Sequence, residues 1–109
     1  MSEERAMTGI ESIAAERRRQ REREGWTLGH DDAHERGEIA GAAACYILAG
    51  LDVGRVDLRD RVRVLARDLW PWHRDWWKPK DRRRDLVRAG ALIAAEIDRL
   101  DRAAARQSS

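Results

Sequence analysis

The sequence predicts an all-α protein: one domain over residues 1–109, built as a bundle of about four helices that forms a homo-oligomer. Apolar residues recur at steps of three and four in several segments, which is helical spacing. The valine-rich run at 62–64 could be a short strand, but it has no second strand to pair with. Charged residues make up 39% of the chain against 42% apolar residues. This composition predicts a thin core, and self-association is a common way to bury more area.

The first two helices are predicted from apolar stripes and from start and stop signals. The first spans 7–24, with a stripe of Met7, Ile10, Ile13 and Ala14 followed by a charged, solvated half. Gly25 is predicted to end it. The second is predicted to be capped by Asp31 or Asp32 and to run to about Ala49.

Two further helices are predicted after a linker at 50–57. The third carries apolar residues at steps of four, three and four: Leu58, Val62, Leu65 and Leu69. Trp70 precedes Pro71 and is therefore pushed out of the α region, which ends this helix. The fourth is predicted to start after Pro79, with a stripe of Leu86, Gly90, Ile93, Ile97 and Leu100. Residues 1–6 and 103–109 are predicted to fray.

Charge and cysteine content narrow the possible classes of protein. With 22 basic and 20 acidic residues the formal charge is only +2, so an extended nucleic acid is not an expected partner. Cys45 is the single cysteine, and its apolar neighbours predict a buried thiol with a structural role. The sequence shows no signal peptide and no apolar run long enough for a bilayer, which predicts a cytoplasmic protein without a membrane partner.

Segment 70–84 holds four of the five tryptophans and both prolines, together with a cluster of lysines and arginines. Flat indole rings beside phosphate donors predict a site for a phosphorylated, nucleotide-like molecule. Trp72 and Trp77 are predicted to stack on its rings, and Trp70 to belong to the core. The predicted phosphate contacts are Lys78, Lys80, Arg82 and Arg83. A helix starting near Pro79 would add its free N–H groups.

Segment 26–38 is predicted to form the opposite wall of the same site. Asp32 or His34 is predicted to hydrogen-bond to the ribose or to a base edge. His30, His34 and Glu38 lie at steps of four, a spacing that also suits a divalent metal. The alternatives of capping and of hydrogen bonds to neighbouring loops stay open.

A metal-dependent enzyme is the alternative to a plain binding protein. Helical nucleotide pyrophosphohydrolases hold magnesium with carboxylates from two helices, and comparable residues here are Glu35, Glu38, Glu96 and Asp98. Mg²⁺ or Mn²⁺ would then be the cofactor, whereas the leading interpretation needs none. No serine or cysteine has the surroundings of a nucleophile.

Several motifs resemble a widespread family of small proteins encoded by phages and prophages, which also occurs as a terminal module of phage early-region proteins. The motifs are Glu24-Gly25-Trp26-Thr27, His30-Asp31-Asp32-Ala33-His34, Gly37-Glu38, Trp70-Pro71-Trp72, the run from Trp76 to Val87, Ala89-Gly90-Ala91-Leu92-Ile93 and Ala95-Glu96-Ile97. The resemblance implies a phage product acting in the bacterial cytoplasm. Small helical phage proteins include immune antagonists that sequester nucleotide signals.

The combined expectation is a non-enzymatic binder that sequesters a nucleotide-like ligand, for example a cyclic nucleotide immune signal. The metal-dependent hydrolase is one alternative. A module that docks onto a host protein through its tryptophans and its charged first helix is another.

Overall fold

The computed structural model describes residues 7–51 and 54–108, apart from the side chain of Val56. The helices are α1 (Gly9–Arg23), α2 (Leu28–Asp32), α3 (Glu38–Ala49), α4 (Val56–Leu69) and α5 (Arg82–Ser108), with a 3₁₀ turn at Arg74–Trp76. This part of the chain contains no strand, and the all-α prediction is confirmed. The predicted fraying of residues 1–6 lies outside the described residues, whereas α5 stays helical up to Ser108.

Helix α1 ends within one residue of the predicted position and begins two residues after the predicted start at Met7. Thr8 and Glu11 form a capping box, in which the Glu11 N–H donates to Thr8 Oγ1 at 3.2 Å and the Thr8 N–H donates to Glu11 Oε1 at 2.9 Å. Gly25 follows the helix with a φ of 70°, in the left-handed region that glycine adopts without a steric penalty.

The prediction of one continuous second helix is wrong. Thr27 is the cap of α2, because its Oγ1 accepts the His30 N–H at 3.2 Å. A turn then breaks the chain, and Gly37 starts α3 from a left-handed φ of 84°. Asp31 and Asp32 do not cap a helix. They pair with Arg17 and Arg102 at 3.1 and 2.8 Å, so tertiary ion pairs take the carboxylates that a cap would use.

Helix α3 is the centre of the bundle and packs against both α4 and α5. The core cluster combines small residues, two large aliphatic residues and one aromatic pair: Ile39, Ala42, Ala43, Cys45, Tyr46, Trp70, Ala89, Leu92 and Ala95. The buried thiol of Cys45 and the core position of Trp70 are confirmed. Trp70 also ends α4, as predicted. None of the helices in the described ranges combines the length and the apolar character that crossing a membrane requires.

The apolar stripes of α1 and α5 do not form the buried faces of these helices. On α1 the buried side chains are Ser12, Glu16 and Gln20, while Ile10 is 83% exposed. On α5 the buried face includes Val87, Ala91, Leu92 and Ala95, and the predicted stripe of large aliphatic residues faces outward. Small alanines let α5 approach its neighbours closely, and charged networks replace the apolar contacts of α1.

Glu16 shows how a polar stripe is accommodated inside the bundle. Its carboxylate accepts hydrogen bonds from Arg19, Gln20 and Arg84. Burial raises the pKa of Glu16, but these bonds and the two guanidinium charges outweigh it, and the pKa lies below its ordinary value of 4.5. The buried charge is therefore compensated by its partners.

Candidate functional site

The two residue-rich connections meet at one end of the bundle. The rings of Trp26 and Trp72 have centroids 5.6 Å apart, and those of His34 and Trp72 are 5.3 Å apart. One residue of each pair comes from segment 26–38 and the other from segment 70–84. The structure therefore brings together the two segments that the sequence places on opposite walls.

Between these segments lies a cavity of about 390 Å³, here called the aromatic cavity. Its lining consists of Glu24, Trp26, His30, His34, Trp72, His73 and Trp76. Six of the seven side chains are aromatic rings, and the seventh is a carboxylate that accepts a hydrogen bond from Arg19 at 2.8 Å. Flat walls with a few polar atoms suit a planar, heteroaromatic ligand.

Helix caps position the first wall. After Gly25, the Trp26 N–H donates to the Gln20 carbonyl oxygen at 3.1 Å, which folds the chain back onto the end of α1. Thr27 then starts α2, so that His30 lies parallel to the Trp26 indole with an interplanar angle of 4° and a centroid distance of 6.0 Å. His34 contacts His30 edge-on at 4.7 Å.

A short irregular segment after α4 forms the second wall. Trp70 Nε1 donates to the His73 carbonyl oxygen at 3.1 Å, and His73 Nδ1 accepts the Asp75 N–H at the same distance. These bonds hold the 3₁₀ turn that carries Trp76. Lys78 Nζ lies 5.5 Å from the centroid of the Trp76 ring, which is a cation–π distance.

Trp72 separates the aromatic cavity from a second one of about 410 Å³, here called the arginine cavity. Its lining consists of Arg67, Asp68, Trp70, Trp72, Arg74 and Trp77. Trp77 lies on this side, where its ring contacts Trp70 at 4.9 Å and Tyr46 at 5.0 Å. Both predicted stacking residues thus line the arginine cavity, and of the two only Trp72 also lines the aromatic cavity.

Two of the predicted phosphate donors, Arg82 and Arg83, use their side chains for contacts elsewhere in the fold. Arg82 donates to the Gly50 carbonyl oxygen at 2.6 Å, and Arg83 donates to Ser12 Oγ at 2.8 Å. Lys80 donates its backbone N–H to Asp85 Oδ1 at 2.8 Å. These bonds tie the start of α5 to its own first turn, to α1 and to the end of α3.

The start of α5 also carries its own anionic partners. The Arg84 N–H donates to Asp81 Oδ1 at 2.8 Å, as a capping carboxylate does at a helix N-terminus. Burial raises the pKa of the neighbouring Asp85, although the hydrogen bond from Lys80 opposes this.

The predicted polar contacts of segment 26–38 have different environments. Asp32 is paired with Arg102 and lines neither cavity. His34 lines the aromatic cavity, and its Nδ1 lies 3.1 Å from Glu38 Oε2. Burial raises the pKa of Glu38, but hydrogen bonds from its own backbone N–H and from His34 outweigh it and leave the pKa below its ordinary value.

The four carboxylates of the alternative metal site do not gather in the structure. Glu38 is engaged by His34, and Glu96 accepts a hydrogen bond from Arg99 at 2.6 Å. Within residues 7–51 and 54–108, no three side chains of the histidine, cysteine, aspartate or glutamate type are grouped as metal ligands.

Comparison with known proteins adds no assignment. No protein-family model, curated protein or solved structure matches this chain. The functional conclusion therefore depends on the geometry of the aromatic end, where sequence reasoning missed Glu24, Trp26, His73 and Trp76 as lining residues. The signal for Trp26 is its place beside Gly25, since a left-handed glycine turns the chain back toward the bundle.

Proposed function

We propose that this protein binds a phosphorylated, nucleotide-like molecule without catalysis. Its base would lie in the aromatic cavity and its phosphates would contact Arg67 and Arg74 in the arginine cavity. One observation carries this proposal: Trp72 lines both cavities, so a flat aromatic pocket and a pocket with two guanidinium groups adjoin along a single indole. A nucleotide has the same division into a flat ring and an anionic tail.

The aromatic walls supply the affinity for the base. Stacking of a base on an aromatic side chain contributes roughly 1–3 kcal/mol and tolerates different bases. Trp26, Trp72 and Trp76 offer three such surfaces around a cavity of about 390 Å³, within the range of small-molecule sites. In addition, Trp72 Nε1 is buried without a hydrogen-bond partner among the described residues, and an acceptor on the ligand would satisfy it.

Arg67 and Arg74 take the place of the phosphate contacts that were predicted from the sequence. Arg67 Nε lies 3.5 Å from Asp68 Oδ1, and both of these side chains are more than half exposed. An exposed guanidinium of this kind can turn toward a phosphate and bind two of its oxygens. Arg82 and Arg83, in contrast, would first have to leave contacts that hold the bundle together.

A sequestering role in a bacterial cell is part of the same proposal. It is supported by the resemblance of the tryptophan and histidine motifs to phage-encoded proteins. Cys45 gives no support to covalent chemistry, because burial raises the pKa of its thiol and keeps it protonated. Binding without turnover is the simplest use of two cavities lined mainly by aromatic rings and guanidinium groups.

Isothermal titration calorimetry against linear and cyclic nucleotides and the matching nucleosides tests this function. We expect at least one nucleotide to bind with a Kd below about 0.1 mM, which corresponds to roughly 5.5 kcal/mol. Arg74→Ala should weaken binding of that nucleotide about tenfold and leave its nucleoside unaffected. The matched control is Arg63→Ala, an exposed residue of α4 that lines neither cavity. Equal losses in both variants would contradict the assignment of the phosphates to the arginine cavity.

A further inference from the structure

An exposed row of aliphatic residues follows one side of α5. Its members lie at steps of four, three, four, three and four along the helix: Leu86, Gly90, Ile93, Ile97, Leu100 and Ala104. This set is called the aliphatic stripe. A repeat of 3.5 residues is the spacing that keeps a seam facing a second helix throughout a coiled coil.

The four large side chains of the aliphatic stripe remain open to solvent. Their exposed fractions range from 41% for Leu86 to 52% for Ile97. Isolated aliphatic residues at a protein surface are ordinary, but a continuous row of them marks an interaction surface.

Beside Gly90, helix α1 adds apolar surface to the aliphatic stripe. A Cβ built on Gly90 would lie 2.5 Å from Ile13 Cδ1, so Ile13 occupies the notch that the glycine leaves. Ile10, one turn before Ile13, is 83% exposed. The apolar surface therefore continues from α5 onto the first turn of α1.

The inner face of α5 is packed against the chain itself. Helices α1, α2 and α3 all pack against it, and its buried face is lined by alanines, Val87 and Leu92. At the same time α1 turns its polar side chains Ser12, Glu16 and Gln20 inward. In both helices most of the larger aliphatic residues thus lie outside, while the inner faces consist mainly of alanines and polar side chains, with Val87 and Leu92 as the larger apolar residues inside. This pattern is typical of a protomer whose outer apolar face is covered by a partner.

We propose that a second copy of this chain covers the aliphatic stripe, with the two α5 helices antiparallel about Ile93. In that arrangement Leu86 of one copy lies opposite Leu100 of the other, and Ile97 lies against the Gly90 and Ile13 surface. The contacts between Leu86 and Leu100 then lie toward both ends of the seam, and each off-centre contact occurs twice, as two-fold symmetry requires. The six positions span about 27 Å of helix at 1.5 Å per residue.

Charge favours a second copy and the antiparallel direction. The segment that begins α5 carries Lys80, Arg82, Arg83 and Arg84 against Asp81 and Asp85, together with the positive end of the helix dipole. The other end of the aliphatic stripe carries Asp98 and Asp101, while Arg102 and Arg106 there are paired with Asp32. Antiparallel copies place opposite charges together, whereas parallel copies would place like charges together.

The oligomeric state in solution tests this surface, measured by light scattering after size-exclusion chromatography at about 100 µM. The wild-type chain should have twice the mass of one chain. Ile97→Glu, or Ile93→Glu in a second variant, should weaken association at least 100-fold and give monomers with unchanged circular dichroism. Leu69→Glu is the matched control, since Leu69 on α4 is 57% exposed but lies outside the aliphatic stripe. It should remain dimeric.

A monomeric wild type, a dimeric Ile97→Glu variant or a dissociated Leu69→Glu variant would each overturn the proposal. Cysteine cross-linking tests the direction. A mixture of Leu86→Cys and Leu100→Cys chains should form a mixed disulfide under oxidation, and Leu86→Cys alone should not cross-link. Cross-linking of Leu86→Cys with itself would contradict the antiparallel arrangement.

Discussion

The aromatic cavity and the aliphatic stripe are both apolar surfaces that the described residues leave open, but they differ in shape and chemistry. The cavity is concave, lined by rings, and built on irregular segments between helices. The stripe is nearly straight, aliphatic, and fixed on one continuous helix. A concave ring-lined surface suits a small flat molecule, whereas a straight aliphatic row suits another helix.

The difference shows that two kinds of sequence signal give rise to two kinds of site. Glycines and a proline place the tryptophans of the cavity by ending helices, so the rings converge from two connections. A 3.5-residue repeat places the stripe by regular helical geometry alone. Ligand binding and self-association should therefore respond to separate substitutions.

The largest effect is expected from a substitution in the buried polar face of α1, which lies opposite the exposed Ile10. Glu16→Gln should lower the free energy of unfolding by about 3 kcal/mol at pH 7, because Arg19 and Arg84 lose their buried carboxylate partner. Urea denaturation measures the loss. Glu22→Gln, on the exposed side of α1, should change the stability by less than about 0.5 kcal/mol.

The same residue predicts how stability depends on pH. The folded-state pKa of Glu16 lies below 4.5, so its contribution is present above pH 4.5 and is lost as the pH falls through the folded-state value. The stability difference between the wild type and Glu16→Gln should therefore shrink in acid. A difference that stays constant from pH 7 down to pH 2 would contradict the assigned ion pairs.

One substitution in the aromatic cavity and one in the aliphatic stripe test whether ligand binding and self-association are separate. Trp76→Ala should weaken nucleotide binding by about 1–3 kcal/mol through lost stacking. Trp76 is 46% exposed, so the fold should tolerate its removal. The same variant should remain dimeric, and monomeric Ile97→Glu should bind the nucleotide as the wild type does. Leu65→Ala, at a comparably exposed position that lines neither cavity, is the control for calorimetry. A loss of binding in Ile97→Glu would show that the two surfaces are coupled.

The smallest effect is expected at the cap that positions His30. Thr27→Ala should lower the free energy of unfolding by about 1 kcal/mol, because the His30 N–H loses its acceptor. Ligand binding should weaken with it, since α2 carries one wall of the aromatic cavity. Thr27→Ser keeps the hydroxyl and should restore both measurements. A Thr27→Ala variant with the stability and the affinity of the wild type would contradict the role of this cap.

Much of the fold could be predicted because start and stop signals act locally. Gly25 ends α1 and Trp70 ends α4, as predicted. The break at Gly37 was missed because the spacing of His30, His34 and Glu38 also fits a continuous helix. The inverted faces of α1 and α5 were missed for a different reason. Periodicity shows which residues share a face, but it does not show whether the chain itself or a partner covers that face.

The candidate site could be predicted at the level of segments rather than side chains. Both connections were identified from their unusual residues, and the structure brings them together through Trp72. Trp72 lines the aromatic cavity and Trp77 does not, and this difference depends on the path of the chain after Pro71, which composition does not specify. The phosphate contacts proposed from the structure differ from those predicted from the sequence, because Arg82 and Arg83 donate hydrogen bonds to backbone and side-chain oxygens within the fold.

Calorimetric titration of the wild-type protein with nucleotides and their matching nucleosides tests the proposed function most directly. We expect a nucleotide to bind with a Kd below about 0.1 mM and to be recovered intact, with its nucleoside binding more weakly by the contribution of Arg67 and Arg74. No binding by any linear or cyclic nucleotide, or equal affinity for nucleotide and nucleoside, would contradict it.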